Sequence, residues 1–151
     1  MLLRTHLALS VLIVIIFLPH VTGKSVFILT VLVATMIPDI DSGFSTLGKG
    51  FIFRIVQFFV KHRGIFHSLT FCVLASALLA IFLPTLSLGF FLGYSFHLLL
   101  DSFTVEGITP FWPWNRVSKG VFKTGGRVET SLFVFFVIAD FLAAVIFIKG
   151  V

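Results

Sequence analysis

Histidine and aspartate residues stand at the boundaries of the apolar segments of this chain, where ionisable side chains are rare. The stretch HRGIFHSL places His62, Arg63 and His67 directly before an apolar run, and GYSFHLLLD places His97 and Asp101 at the end of another. Imidazole and carboxylate groups bind divalent transition metals, zinc above all. Because His97 and Asp101 are four residues apart, both can reach one ion from the same helix face. These residue types therefore indicate a metal site.

Seven residues with imidazole or carboxylate side chains occupy such positions, and we predict that they form one metal site: His6, Asp39, Asp41, His62, His67, His97 and Asp101. Seven ligands exceed the four of a tetrahedral zinc site. We therefore expect one or two divalent ions, with zinc as the first choice and manganese or iron as alternatives. Arg63 is the candidate for binding a phosphate or for stabilising the negative charge that develops in a transition state. Glu106 is the candidate for an additional base or ligand.

The composition of the chain places most of it in lipid. Of 151 residues, 58% are hydrophobic and 11% are charged, and a soluble domain of this size has too little interior for that much apolar surface. We predict an all-α polytopic membrane protein, with residues 1–151 forming a single integral membrane domain of four to five transmembrane or re-entrant helices. Five apolar runs carry that prediction, at about 7–21, 26–37, 68–83, 85–103 and 131–148.

The lengths of the runs differ in what they allow. A spanning helix needs about 20 residues, so the fourth and fifth runs qualify easily and the third is marginal. The second run is short, which leaves three alternatives: it crosses a thin part of the membrane, it crosses with little tilt, or it forms half of a re-entrant hairpin. The stretch FIFRIVQFFVK at 51–61 has one polar stripe and predicts a short interfacial helix. The stretch 104–130 predicts a cytoplasmic loop, in which Trp112 and Trp114 are candidate interface anchors.

The distribution of lysine and arginine predicts a cytoplasmic N-terminus. With that orientation nine basic residues face the cytoplasm and two, Lys24 and Lys149, face outward. The net charge of +5 then reflects membrane orientation, and no nucleic-acid partner is expected. All seven candidate ligands fall at the cytoplasmic ends of their helices. In one alternative the first run is a cleaved signal peptide, whose removal would discard His6.

The spacing of the candidate ligands suggests an internal repeat. His6 and Asp39 lie at the two ends of one apolar hairpin, 33 residues apart. His67 and Asp101 lie at the two ends of another, 34 residues apart. A site at the interface of two such hairpins would follow the logic of repeat-built membrane transporters. The repeat stays a hypothesis at this stage.

Two other classes of function remain open from the residues. A proton-coupled transporter predicts ionisable groups along the membrane path, but only His20 and Asp140 lie deeper in their runs. A non-catalytic regulator predicts that each histidine is merely a cap or an interface residue. A zinc metalloprotease of the HExxH type is disfavoured, because the sequence lacks that motif.

Taken in order, the motifs resemble a known family. A Thr-His near the N-terminus, PDID, HRGIFHSL and GYSFHLLLDSFTVEGITPFWP resemble the YdjM-like family of membrane-bound predicted metal-dependent hydrolases, over His6 to about Pro113. Four framing residues also match its pattern: Gly93, Thr104, Gly107 and Pro113. Phe66 departs from the small polar residue expected before the second histidine, which weakens the expectation that this neighbour supports His67.

The resemblance implies a reaction class. The family is described as distantly similar to zinc-dependent phospholipase C and P1-type nucleases, which implies hydrolysis of a phosphodiester by metal-activated water. The seven ligand candidates would then be the metal-site residues. The expected substrate is a membrane lipid or a lipid-linked phosphate at the cytoplasmic face of the cell membrane. The sequence leaves the exact substrate and the oligomeric state open.

Overall fold

A computed structural model describes residues 1–41, 65–114 and 116–149. Within these ranges the chain is helical, as predicted, and contains five α-helices of 13 or more residues. In chain order they are α1 (Leu3–Phe17), α2 (Lys24–Met36), α3 (Leu69–Phe82), α4 (Pro84–Ser102) and α5 (Arg127–Lys149). The predicted interfacial helix at 51–61 lies outside the described residues.

The helix boundaries follow from local signals. Pro19 lies in a short 3-10 segment that ends α1, and Gly23 precedes the first residue of α2. Ser68 caps α3 by accepting a hydrogen bond from the amide of Phe71 at 3.1 Å, the usual role of serine at a helix N-terminus. Pro84 opens α4, a position where its missing amide hydrogen has no intrahelical partner to lose.

Two helices extend beyond the apolar runs from which they were predicted. α1 begins at Leu3 rather than at residue 7, and α5 begins at Arg127 rather than at residue 131. The apolar runs exclude the polar residues Thr5, His6 and Glu129, so hydropathy alone places the start of each helix too far along the chain. The structure buries all three, and contacts with other elements satisfy Thr5 and Glu129.

The core lies where α2 crosses α4, and α1 packs against α5 beside it. Val31 and Ala34 of α2 are fully buried at the crossing. A Cβ atom at Gly93 of α4 would overlap the carbonyl oxygen of Val31, so only glycine permits this approach. Small residues at helix crossings are typical of membrane proteins, because they let two backbones come close.

Two helical segments are long and apolar enough to cross a membrane, by length and composition: Leu3–His20 and Arg127–Lys149. α3 is apolar but shorter. α4, predicted to qualify easily, is not among them, because the glycines, Tyr94, His97 and Asp101 on its buried face lower its hydropathy. The total of four to five membrane segments stays a prediction.

Residues 103–126 form an arm between α4 and α5 that is closed by backbone hydrogen bonds. The amide of Phe122 donates to the carbonyl of Phe103 at 3.0 Å, and Ser118 and Ile108 exchange amide–carbonyl bonds of 2.8 and 2.9 Å. The two sides pair only through isolated bridges. The predicted loop is therefore a folded arm, and it ends at α5 rather than at residue 130.

Candidate metal centre

α4 supplies the middle of the site. Tyr94, His97 and Asp101 follow one another at intervals of three and four residues, so they share one face of the helix. That face turns inward, and each of the three side chains is at most 1% exposed. Burying an imidazole and a carboxylate together is unfavourable unless partners compensate the lost hydration. Other helices bring those partners.

α1 brings His6 to the carboxylate of Asp101. The Nε2 atom of His6 lies 3.4 Å from Oδ1 of Asp101, and the amino group of Met1 contacts the same oxygen. The ring of His6 stacks on the ring of His97, with centroids 3.8 Å apart and planes 11° from parallel. The two imidazoles thus approach Asp101 from different helices.

His67 and Asp39 complete the cluster from the segments that flank α3 and α2. Nε2 of His67 lies 3.6 Å from Oδ2 of Asp101, and Nε2 of His97 lies 3.7 Å from the same oxygen. Oδ1 of Asp39 lies 3.8 Å from Nε2 of His97. Asp39 is partly exposed, whereas His67 is buried. The cluster therefore has one side that is open to solvent.

The described residues contain two ligand groups whose donor atoms lie within 4.8 Å of one another. The first consists of His6, His97 and Asp101, and the second consists of Asp39, His67 and His97. Each combines imidazole with carboxylate, the mixture that suits zinc and, less selectively, manganese or iron. These buried His/Asp groups could hold a metal ion.

The hydrogen bonding of the histidines fits a bound cation. Both ring nitrogens of His6 and both of His97 are buried and make no hydrogen bond to any residue that the structure describes. A buried polar atom without a partner loses its hydration without compensation, at a cost of about 1–3 kcal/mol. A metal ion would provide the missing interaction for one nitrogen of each ring. The residues present therefore fit the metal that the resemblance implies.

A buried chain of hydroxyl groups ties three helices together beside the site. Ser10 of α1 lies 2.6 Å from the hydroxyl of Thr35 on α2, and it donates to the carbonyl of His6 at 2.8 Å. Thr35 in turn reaches the carbonyl of Gly93 on α4 at 3.3 Å. These contacts fix His6 relative to α4. Sequence reasoning missed them, although small polar residues inside apolar runs are a recognised signal of helix contacts.

His67 is supported by the backbone of its neighbour. The hydroxyl of Tyr94 donates a hydrogen bond of 2.6 Å to the carbonyl of Phe66. Ser68 donates to the carbonyl of Ile65 at 2.6 Å and closes the same short turn. Both hydrogen bonds order the backbone of the turn that carries His67, and they do not involve the Phe66 side chain.

Glu129 is the second feature that sequence reasoning missed. Its Oε1 atom accepts hydrogen bonds from the amide of Leu2 at 2.5 Å and from the hydroxyl of Thr5 at 3.0 Å. Its Oε2 atom accepts from the amide of Gly125 at 2.5 Å. The carboxylate therefore joins the first turns of α1 and α5, next to His6. No local pattern marks this role, because the three donors come from distant parts of the chain.

Of the four remaining predicted site residues, only Glu106 has a side chain that the structure describes. His62 and Arg63 lie outside the described residues, and Asp41 ends a 3-10 segment, Ile37–Asp41. The side chain of Glu106 is exposed, and it belongs to neither ligand group. The predicted roles of these four residues stay predictions.

The two deeper ionisable residues lie away from the cluster. His20 is exposed at the far end of α1. Asp140 lies within α5 and has a buried carboxylate oxygen that makes no hydrogen bond within the described ranges. The candidate metal ligands that the structure describes are thus concentrated at one end of the helices.

Comparison with known proteins gives two matches. The family model described as YdjM inner membrane protein matches residues 1–149. An uncharacterized protein, YvsG, of Bacillus subtilis is 33% identical over 103 residues. That match covers 64% of this chain and 64% of the relative, so the chain spans less than two thirds of the relative's length. No solved structure matches the chain.

Proposed function

Because the chain belongs to the YdjM inner membrane protein family, we propose that it is a membrane-embedded, metal-dependent hydrolase. Its substrate class is a phosphodiester, in a phospholipid or a lipid-linked phosphate, at the cytoplasmic face. The observation that carries this proposal is the burial of His6 and His97 beside Asp101, with no hydrogen bond from the described part of the chain at either imidazole. Groups of this kind inside an apolar protein are functional candidates by default.

The described residues fall into two groups of possible metal ligands and a set of supporting contacts. His6, His97 and Asp101 are buried and would hold one ion. Asp39 and His67, together with His97, form the second group, which lies toward solvent through Asp39. In such a set a bound divalent ion would supply Lewis-acid chemistry, which in favourable cases lowers the pKa of water to about 7. Glu129 and the Ser10–Thr35 pair hold the helices in place.

The number of ions depends on residues beyond the two groups. A single imidazole nitrogen binds one ion, and His97 belongs to both groups. Filling both at once would leave each ion with few ligands, so additional donors are required. Asp41 and His62 are the predicted donors. We therefore propose one ion held by the described residues, and a second where these two contribute.

The location of the cluster supports a lipid or lipid-linked substrate. All five described ligands lie where helices begin or end, at one end of the bundle. If the N-terminus is cytoplasmic, as the basic residues predict, this end faces the inner leaflet. A substrate phosphate held at the headgroup level could then reach the open side at Asp39. Arg63 is the proposed partner of that phosphate.

The test compares metal content and hydrolysis in matched variants. Wild type, His97→Ala and His20→Ala are purified in detergent, and each is assayed by elemental analysis and with bis-p-nitrophenyl phosphate and phospholipid substrates. His20 is a suitable control because it is exposed at the far end of α1. We expect bound metal and hydrolysis in wild type and His20→Ala, and loss of both in His97→Ala. Equal hydrolysis in all three would refute the proposal.

One observation keeps a proton-coupled transporter as the second candidate. The carboxylate of Asp140 lies within a helix long and apolar enough to span a membrane, and one of its oxygens is buried without a hydrogen bond to the described residues. Such a group is a candidate for a proton path. Proton flux in vesicles that is abolished by Asp140→Asn, with no hydrolysis by the wild type, would favour this function.

A further inference from the structure

The arm between α4 and α5 carries an aromatic tip, which consists of Phe111, Trp112, Trp114 and Arg116. The arm leading to the tip is ordered by bonds along its length, including Gly120 to Thr104 at 2.9 Å and Val105 to Phe122 at 3.0 Å. The tip is also tied to α3, because the amide of Thr70 donates to the carbonyl of Pro110 at 3.1 Å. The tip is therefore held in one place.

The tip lies at the same end of the bundle as the metal centre. The arm begins directly after Asp101, and the hydroxyl of Thr104 donates to the backbone carbonyl of Asp101 at 2.7 Å. It ends at Gly125, whose amide is bound by Glu129 beside the first turn of α1. Thr70, which binds Pro110, is in the first turn of α3, close to His67.

The aromatic side chains of the tip point away from the protein. Phe111 is 54% exposed, Trp112 is 41% exposed and Trp114 is 71% exposed. Exposing three large aromatic side chains to water is unfavourable. Tryptophan is enriched where a membrane meets water, because its ring is apolar and its N–H group still finds a polar partner. The headgroup layer therefore suits this tip better than water.

The tip also contains a largely apolar cavity that the Arg116 side chain helps to line. Phe111, Trp114 and Arg116 line a space of about 420 Å³. Lys119 and Lys123 are exposed further along the arm, and from residue 103 to 127 the chain has four basic residues and one acidic residue. Basic residues next to a membrane attract anionic lipids, and a guanidinium group binds phosphate through paired hydrogen bonds.

We propose that this tip is a binding site for an anionic phospholipid of the surrounding leaflet. Arg116 pairs with the lipid phosphate, and Phe111 and Trp114 pack against the glycerol and the upper acyl chains. The excess positive charge of the arm favours an anionic headgroup over a zwitterionic one. The site is separate from the metal ligands, so it does not depend on the proposed hydrolysis.

The chain offers a direct probe of this site, because Trp112 and Trp114 are its only tryptophans. The full-length protein is reconstituted in nanodiscs of phosphatidylcholine with increasing phosphatidylglycerol, in the presence of a chelator so that metal plays no part. Tryptophan emission is recorded with iodide in the water or with lipids brominated near the headgroup. Arg116→Gln is compared with Lys123→Gln, an exposed basic residue of the arm that does not line the cavity.

We expect brominated lipid to quench the wild-type emission and iodide to leave it nearly unchanged. Half-saturation by phosphatidylglycerol should require about tenfold more lipid in Arg116→Gln, the effect of losing one charge-assisted contact, and less than twofold more in Lys123→Gln. Inorganic phosphate should not replace the lipid. Circular dichroism establishes that each variant keeps its helices.

Three results would overturn the proposal. Quenching by iodide but not by brominated lipid would place the tip in water. Protection from both quenchers would place it against protein, such as a second copy of the chain. An unchanged response to phosphatidylglycerol in Arg116→Gln would remove the assigned phosphate partner.

Discussion

Replacing Gly93 by alanine should separate α2 from α4 and weaken the metal centre that lies between them. The new Cβ atom would overlap the carbonyl oxygen of Val31 and would lie 3.1 Å from both the Cβ of Ala34 and the hydroxyl of Thr35. A backbone carbonyl in a packed helix cannot rotate away, so the helices must move. Overpacking of this kind costs about 2–3 kcal/mol, and the better helix propensity of alanine returns about 1 kcal/mol.

The net expectation for Gly93→Ala is a loss of about 1–2 kcal/mol in the free energy of unfolding. The movement also displaces His97 on α4, which belongs to both ligand groups, relative to Asp39 on the α2 side, 3.8 Å away. We therefore expect metal affinity to fall about tenfold, the equivalent of about 1.4 kcal/mol. Unfolding is followed by circular dichroism in detergent, and metal affinity by competition with a chelator of known affinity.

Gly89→Ala is the matched control, one turn further from the site on the same helix. Its Cβ atom would lie 3.1 Å from the Cβ of Thr30 and 3.3 Å from the carbonyl oxygen of Phe27, which is tight but does not overlap. The gain in helix propensity should nearly cancel that strain, so stability and metal affinity should change little. If Gly93→Ala is as stable and binds metal as well as Gly89→Ala, the assigned close approach is wrong.

Two other substitutions test the supports of the site. Glu129→Gln keeps one oxygen acceptor but presents an amide group toward the amide of Gly125. The free energy of unfolding should therefore fall by about 2 kcal/mol, and metal affinity should fall with it. Full stability of this variant in thermal unfolding would contradict the role of Glu129. Tyr94→Phe removes the hydrogen bond to the carbonyl of Phe66 and should lower the free energy of unfolding by about 1 kcal/mol. Metal affinity should also fall, because the turn that carries His67 loses this hydrogen bond. Competition with a chelator measures the affinity, and an unchanged affinity would contradict this role of Tyr94.

Much of the site could be predicted from the sequence because its residues stand at the ends of apolar runs. When each run is a helix and basic residues fix its direction, His6, Asp39, His67, His97 and Asp101 must fall at one end. The structure brings these five together. Their pairing could not be predicted, because the contact of His97 with Asp39 depends on how two helices cross rather than on spacing within either.

The features that sequence reasoning missed are contacts between distant segments. Glu129 binds Leu2 and Thr5, which are more than 120 positions away in the chain. A charged residue such as Glu129 lowers the local hydropathy, so hydropathy places it in a loop. For that reason the predicted α5 begins at residue 131, whereas the helix begins at Arg127. The family resemblance, in contrast, is confirmed over nearly the whole chain, because it rests on the order of several motifs rather than on any one of them.

The central claim is that His6, His97 and Asp101 hold a divalent metal ion, and X-ray absorption of the purified full-length protein at the zinc edge tests it most directly. We expect zinc with a first shell of nitrogen and oxygen only, and with the outer scattering of at least two imidazole rings. The imidazole signal should decrease in His6→Ala and stay unchanged in His20→Ala. Protein that binds no zinc, manganese or iron, or an ion with sulfur in its first shell, would contradict the claim.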